Sequence, residues 1–232
     1  MKDTKDFSKL EKKIGIHFKN EDLFKQAFVH RSYLNENKRF PLDQNERLEF
    51  LGDAVLELVV TEYLYRKYKN PEGELTNWRA ALVKGEKLSE LAEKLQYDHY
   101  LYLSRGEKKG SEKARRLILA NTFEAVLGAL YLDQGFAACE KFIKKHLLGE
   151  LKGIIENKAY IDAKTRLQEY FQDKKGMTPE YFLLEAKGPD HDKYFRIGVR
   201  IEGKKLGFGE GSSKQKAEQA AAHNALENLE QI

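Results

Sequence analysis

The chain changes its hydrophobic period once, and that change limits its possible folds more than any other feature of the 232 residues. Up to about residue 156, apolar side chains recur at spacings of three and four, as amphipathic helices require. Asn20 offers an N-cap for a helix through Tyr33, and a long helix is expected from about Gln44 to Tyr68, ended by Pro71 and Gly73. Further helices are expected over Leu75 to Lys84, Glu86 to Leu95 and Leu117 to Leu132, with another after Gly135 and a polar loop before Leu117. Beyond residue 162 the period becomes two: Phe195, Ile197, Val199 and Ile201 alternate with Arg196, Gly198 and Arg200 as in a half-buried strand. A Glu202-Gly203 turn leads to a return strand through Leu206 and Phe208. Tyr181 to Glu185 reads as the first strand, preceded by a helix from Ala163 to Lys174. Ser213 caps a last helix that lines up Ala217, Ala220, Ala221, Ala225 and Leu229. The expected fold is an all-α domain over residues 1–156, a linker at 157–161, and a small α+β unit of order αβββα at 162–232.

Composition narrows the class. With 41% hydrophobic and 34% charged residues the chain can bury a core and is neither collagen-like nor disordered. The net charge is +4, but residues 161–232 hold 12 bases and 12 acids, so the excess lies in the helical part. A single cysteine, Cys139, leaves no partner for an intrachain disulfide and reads as a small core residue, which points to a reducing, cytoplasmic setting. The N-terminus interleaves acids and bases where a signal peptide needs an apolar run. The longest apolar stretch, Leu117 to Leu132, has 16 residues including Asn121 and Glu124, too few for a membrane span of about 20.

The acids in the helical part are out of place. Glu46, Glu49 and Asp53 are spaced i, i+3, i+7, which stacks three like charges on one helix face. Their neighbours Leu48, Phe50, Leu51, Ala54, Val55, Leu56, Leu58, Val59 and Val60 leave little of the circumference polar, and such a helix is expected to be buried. In the second apolar helix Glu124 is the one formal charge, with Asn121 a turn earlier on the same side. A buried carboxylate must be protonated, paired or bound to a cation. Pairing with Arg47 or Arg79 is the structural alternative. Oxygen donors from two helices, without His or Cys, suit a hard divalent ion such as Mg²⁺ or Mn²⁺, which in turn suits phosphoryl chemistry. Between the two helices, residues 105–116 carry six bases, Arg105, Lys108, Lys109, Lys113, Arg115 and Arg116, against two acids, a place to hold a polyanion.

The run NERLEFLGDAVL, Asn45 to Leu56, resembles the signature of the ribonuclease III family of double-strand-specific endoribonucleases. LILANTFEAVLGALYLD, Leu117 to Asp133, is similar to that family's second catalytic motif, and His30-Arg31-Ser32-Tyr33 and Tyr131 to Gly135 fit as well. The second part resembles a double-stranded-RNA-binding domain. The resemblance implies Mg²⁺ as cofactor, with Mn²⁺ able to substitute. It implies Glu49, Asn121 and Glu124 as ligands, with Asp53 completing the cluster and paired with Glu124 as the catalytic acids. Glu46 and Glu72 take accessory roles near the scissile strand. It further implies a homodimer through the endonuclease domain, with Phe50 inserted into the partner, and hydrolysis of ribosomal and messenger RNA precursors to staggered 5′-phosphate and 3′-hydroxyl ends. Position 121 is Asn where the family motif usually has Asp, which removes one negative charge; a non-catalytic or attenuated duplex-binding dimer is the alternative.

In the RNA-binding domain the resemblance assigns three contacts to an A-form duplex, which is recognised by shape through 2′-hydroxyls and phosphates. Gln168 and Glu169 face one minor groove, the Gly188-Pro189-Asp190-His191 loop the next, and Ser213, Lys214 and Lys216 the phosphates between. Gln215 stands where such domains usually carry a second Lys.

Overall fold

The computed structural model describes residues 5–156, 160, 162–189 and 193–230, which fall into two units with separate cores. The chain divides at Met1–Tyr160 and Ile161–Ile232. The first unit is helical: α1 (Phe7–Ile14), α2 (Glu21–Gln26), α3 (Arg31–Glu36), α4 (Glu46–Lys67), α5 (Glu72–Val83), α6 (Gly85–Lys94), α7 (Glu112–Gln134), α8 (Phe136–His146) and α9 (Leu151–Glu156). The second runs α10 (Ala163–Lys175), β1 (Glu180–Lys187), β2 (Tyr194–Ile201), β3 (Lys204–Gly211) and α11 (Lys214–Glu230), the expected αβββα order. Among the described residues no helix is long and apolar enough to cross a membrane. Cys139 is buried, its thiol within 3.6 Å of the Leu127 carbonyl.

Three expectations need correction. The helix expected from Asn20 to Tyr33 is two helices: Asn20 caps α2, but Val29 then forms a parallel bridge with Tyr102 and His30 caps α3. A long-range backbone pairing thus overrides local propensity. Second, α5 begins at Glu72, with Pro71 as its N-cap residue and Gly73 inside its first turn. Third, the polar stretch before Leu117 is partly helical, because Ser111 accepts from the Ala114 N–H and starts α7 at Glu112.

Helices α4 and α7 form the centre of the first unit, and two glycines set how closely they cross. A Cβ on Gly52 would overlap the backbone carbonyl of Glu124, and one on Gly128 would overlap the carbonyl of Leu48. Each backbone therefore lies directly on the other. A glycine costs about 1 kcal/mol in a helix interior, so two at one crossing mark a requirement for close approach. The core of this unit includes Leu56, Leu64, Leu82, Leu88, Leu119, Phe123 and Tyr97, all buried.

In the second unit the sheet order is β1-β2-β3, antiparallel throughout, and the Glu202-Gly203 hairpin has both residues in the left-handed region at φ 45° and 78°. Inward Val199 and Ile201 pack with Leu167, Phe171, Ala221, Ala222 and Ala225. Gly209 of β3 lies against the backbone of Ala217, Ala220 and Ala221, where no side chain would fit, so α11 rests on the strand itself. Along the outer edge of β3, the Phe208 N–H donates to Asn224 Oδ1 at 3.2 Å and the Leu206 carbonyl accepts from Asn228 Nδ2 at 2.9 Å.

Candidate active site

The start of α4 is fixed by Asn45, which is buried. Its Nδ2 donates to the Ala27 carbonyl at 3.1 Å, and its backbone N–H donates to Val29 at 2.9 Å. From that anchor α4 carries Glu46, Glu49 and Asp53 on one side, while α7 presents Asn121 and Glu124. The close crossing at Gly52 and Gly128 places these two sets opposite each other, and the electrostatics record it. Burial pushes the Glu124 carboxyl up to about 7, with repulsion from Asp53 and then Glu49 adding to it. Burial likewise raises Glu49, helped by Glu46 and Asp53 and opposed by a hydrogen bond from the Asn121 side chain.

The helix is not buried all round, as its hydropathy suggested. Glu46 and Asp53 are exposed, and so are Phe50 (82%) and Leu58 (57%) on the neighbouring side of α4, where none of the described elements covers them. In α7 Leu117 (63%) and Leu132 (57%) are exposed as well. The acids that burial affects are Glu49 and Glu124. Neither expected arginine neutralises them: Arg79 donates to Thr61 Oγ1 at 3.0 Å, and Glu49 and Glu124 form no ion pair among the described residues. Glu46 does find a cation, Arg31 at 3.6 Å, held at the start of α3 where His30 Nδ1 accepts from the Ser32 N–H. Glu72 stands apart, in the first turn of α5, its Oε1 accepting from Thr76 Oγ1 at 2.9 Å.

Among the described residues no three His, Cys, Asp or Glu side chains converge as a ready metal-ligand shell. What the structure brings together is two half-buried carboxylates, the Asn121 amide and the exposed Asp53, an all-oxygen set with an excess of negative charge. That donor chemistry fits a hard divalent cation and no soft one. Of the basic run, Arg115 is engaged by Asp98 at 3.6 Å and Arg116 by Glu112 at 2.7 Å, which leaves fewer free bases than the sequence count implied.

Sequence reasoning missed the glycine pair and the Arg31–Glu46 contact. The first had a signal, a glycine inside each of two strongly helical runs; the second had none, since Arg31 lies 15 residues away across a loop.

In the second unit Gln168 and Glu169 are exposed on α10. Ser213 Oγ accepts from the Lys216 N–H at 3.2 Å and so opens α11, with Lys214 and Lys216 exposed beside it. Gly188 has φ 91° at the head of the β1–β2 loop; His191 lies outside the described residues.

A helical unit with a carboxylate cluster, followed by an αβββα unit whose last helix opens on exposed lysines, is the architecture that the sequence resemblance leads one to expect of a class of nucleases that act on double-stranded RNA. The profile for "Ribonuclease-III-like" proteins matches residues 20–151, and that for the "Double-stranded RNA binding motif" matches residues 163–229. Ribonuclease 3 of Oceanobacillus iheyensis is 47% identical over 225 residues, covering 97% of this chain and 98% of its own. Ribonuclease 3 of Enterococcus faecalis is 43% identical over 226 residues, covering 97% of each. The solved nuclease domain of ribonuclease III from Campylobacter jejuni, described for flexibility in a region involved in dimer formation, is 36% identical with a TM-score of 0.55. That match covers 60% of this chain and 94% of the solved one. The chain belongs to the ribonuclease III family and is a ribonuclease with a nuclease domain and a double-stranded-RNA-binding domain.

Proposed function

We propose that the protein cleaves double-stranded RNA by divalent-metal-dependent hydrolysis, as a homodimer of its nuclease domain, in the processing of ribosomal and messenger RNA precursors. The observation that carries this reading is the Glu49–Glu124 pair, two unneutralised carboxylates facing across the α4–α7 crossing with Glu124 raised to about 7. Glu49, Asn121 and Glu124, with Asp53 beside them, would hold Mg²⁺, and Mn²⁺ in its place. Such an ion supplies Lewis acidity toward a water and toward the phosphate. Asp53, at the exposed side of the cluster, positions the attacking water and accepts its proton. Attack in line with the P–O3′ bond breaks that bond, and the departing 3′-oxygen takes a proton from solvent water, so one fragment ends in a 3′-hydroxyl and the other in a 5′-phosphate. Arg31 holds Glu46 beside the path of the scissile strand, and Glu72 is the more distant accessory acid. The exposed stripe of Phe50, Ala54 and Leu58 on α4 suits a partner subunit, and two such sites across one duplex would leave staggered ends. Phe50→Asp is expected to give monomers in sedimentation at a concentration where the parent is dimeric; an unchanged sedimentation coefficient would remove Phe50 from the interface.

The Asn121 amide lowers the repulsion that an Asp there would create, so the metal-free cluster is eased and its attraction for a cation is weaker. Asn121→Asp is therefore expected to lower the Mg²⁺ concentration for half-maximal cleavage by about tenfold, as one more ligand charge strengthens a hard-ion site. Unchanged metal dependence would sink ligation by this side chain.

Gln168 and Glu169, the loop that contains His191, and Ser213, Lys214 and Lys216 form the duplex-binding surface in this reading. Lys214→Ala with Lys216→Ala should weaken binding and make its salt dependence shallower by about two in the log–log slope, at about 0.9 per phosphate contact. Cleavage at saturating RNA should stay unchanged; a lower saturated rate with an unaltered slope would contradict the assignment.

A further inference from the structure

The nuclease domain holds a cavity of about 630 Å³ whose lining includes none of the cluster's acids. Part of its wall is aromatic. The Phe40 ring stands edge-on to Tyr33, with centroids 5.1 Å apart, and 5.2 Å from Tyr102. Tyr33 and Phe40 are half-buried and Tyr102 is buried, and all three line the cavity. Lys5 sits 5.0 Å over the Tyr102 ring, tied to the carbonyls of His99 and Leu101 at 2.8 and 3.0 Å. Arg39 and Lys108 stand at the cavity lining and form no ion pair with any described residue. Among the described residues Asp22 is the one acid in that lining.

Flat rings beside unpaired cations are the chemistry that recognises a base joined to a phosphate. The rings stack on any base, and the cations take the phosphate. The volume lies within the range of small-molecule sites. The cavity is also continuous with the basic run. Lys108 belongs to residues 105–116, and that run is fastened to α3 by Ser104 N–H on Ser32 Oγ at 3.2 Å and Arg105 N–H on Glu36 at 3.2 Å. The same run leads into α7, which bears Asn121 and Glu124.

We propose that this cavity binds one unpaired nucleotide, with its base against Tyr33 and Phe40 and its phosphate on Arg39 and Lys108. The nucleotide belongs either to a single-stranded flank of a duplex or to a free mononucleotide; the flank version rests on duplex binding as proposed above.

Full-length protein with Glu124→Gln, kept in EDTA so that RNA stays intact, serves for both arms of the test. Adenosine 5′-monophosphate is titrated calorimetrically, and labelled duplexes of one stem, blunt or with a four-nucleotide unpaired flank, are titrated by fluorescence anisotropy. The flank is expected to tighten binding about tenfold, the scale of one stacked base. That gain should vanish with Arg39→Glu and with Phe40→Ala, while affinity for the blunt duplex stays as in the parent. Phe40→Leu keeps apolar packing without the flat face, and it should lose the gain even where Phe40→Ala fails to fold. Nucleotide binding without a flank gain assigns the cavity to free mononucleotides. Neither nucleotide binding nor a flank gain, or a gain that survives Arg39→Glu and Phe40→Leu, overturns the proposal. Failure of the blunt duplex to bind overturns the duplex reading instead and leaves the mononucleotide titration to decide.

Discussion

Gly52→Ala should destabilise the nuclease domain by more than about 3 kcal/mol and lower cleavage by at least about a hundredfold in whatever remains folded. Overpacking often costs about 1–3 kcal/mol because a side chain can move aside. Here the added methyl meets the Glu124 carbonyl on a helix backbone, which has no rotamer to change. The helices must separate, and separation pulls Glu49 and Asp53 away from Asn121 and Glu124. Urea unfolding followed by the fluorescence of Trp78, the one tryptophan of the chain and buried in α5, measures the first effect. Gly128→Ala should act in the same direction, and the double variant should cost less than the sum, because one displacement relieves both overlaps. Gly73→Ala is the control, since a Cβ there meets nothing within 4 Å. A Gly52→Ala protein with the parent's urea midpoint would show that the helices do not cross this closely.

Glu124→Gln separates catalysis from binding and from stability in one substitution. On long duplex RNA with Mg²⁺ it should lower the cleavage rate by at least about 10³-fold, as loss of a group acting in the transition state does, while gel retardation of the RNA in EDTA persists. Uncut RNA retarded equally by the parent under Mg²⁺ and Mn²⁺ would favour a pure binder. The same change should stabilise the metal-free protein at alkaline pH. Glu124 has a folded pKa of about 7 against 4.5 when unperturbed. The folded state therefore holds a proton that the unfolded state has released. Its contribution is fully present below about pH 4.5 and is lost as pH rises through 7. Allowing for partial solvent access, the loss is about 2 kcal/mol at pH 8. Gln carries no such loss, so Tm of the variant should exceed that of the parent at pH 8 in EDTA and match it near pH 4.5. Added Mg²⁺ should narrow the gap by stabilising the parent. A gap that does not vary with pH would remove Glu124 as its origin.

What is legible in the sequence is whatever is written in local spacing. The i, i+3, i+7 acids and the switch from helical to alternating period survive translation into α4 and the β1-β2-β3 sheet because both are repeats along one segment. The break between α2 and α3 is invisible locally, since it is made by Tyr102, more than 70 residues away. Hydropathy also overstated the burial of α4: it records that Phe50 and Leu58 are apolar and says nothing of what covers them. The pairing of Glu49 with Glu124 depends on how two helices cross, and the two glycines that decide the crossing look in sequence like weak points of good helices.

The two asparagines of α11 have a consequence for how the RNA-binding domain survives in a crowded solution. An incoming strand would join β3 through the Leu206 carbonyl and the Phe208 N–H, and both are already engaged by Asn228 and Asn224. Exposed sheet edges are templates for chain-to-chain pairing, and proteins blunt them in various ways. Here the guard is borrowed from the neighbouring helix, so unwinding the last turns of α11 would free both groups for an incoming strand.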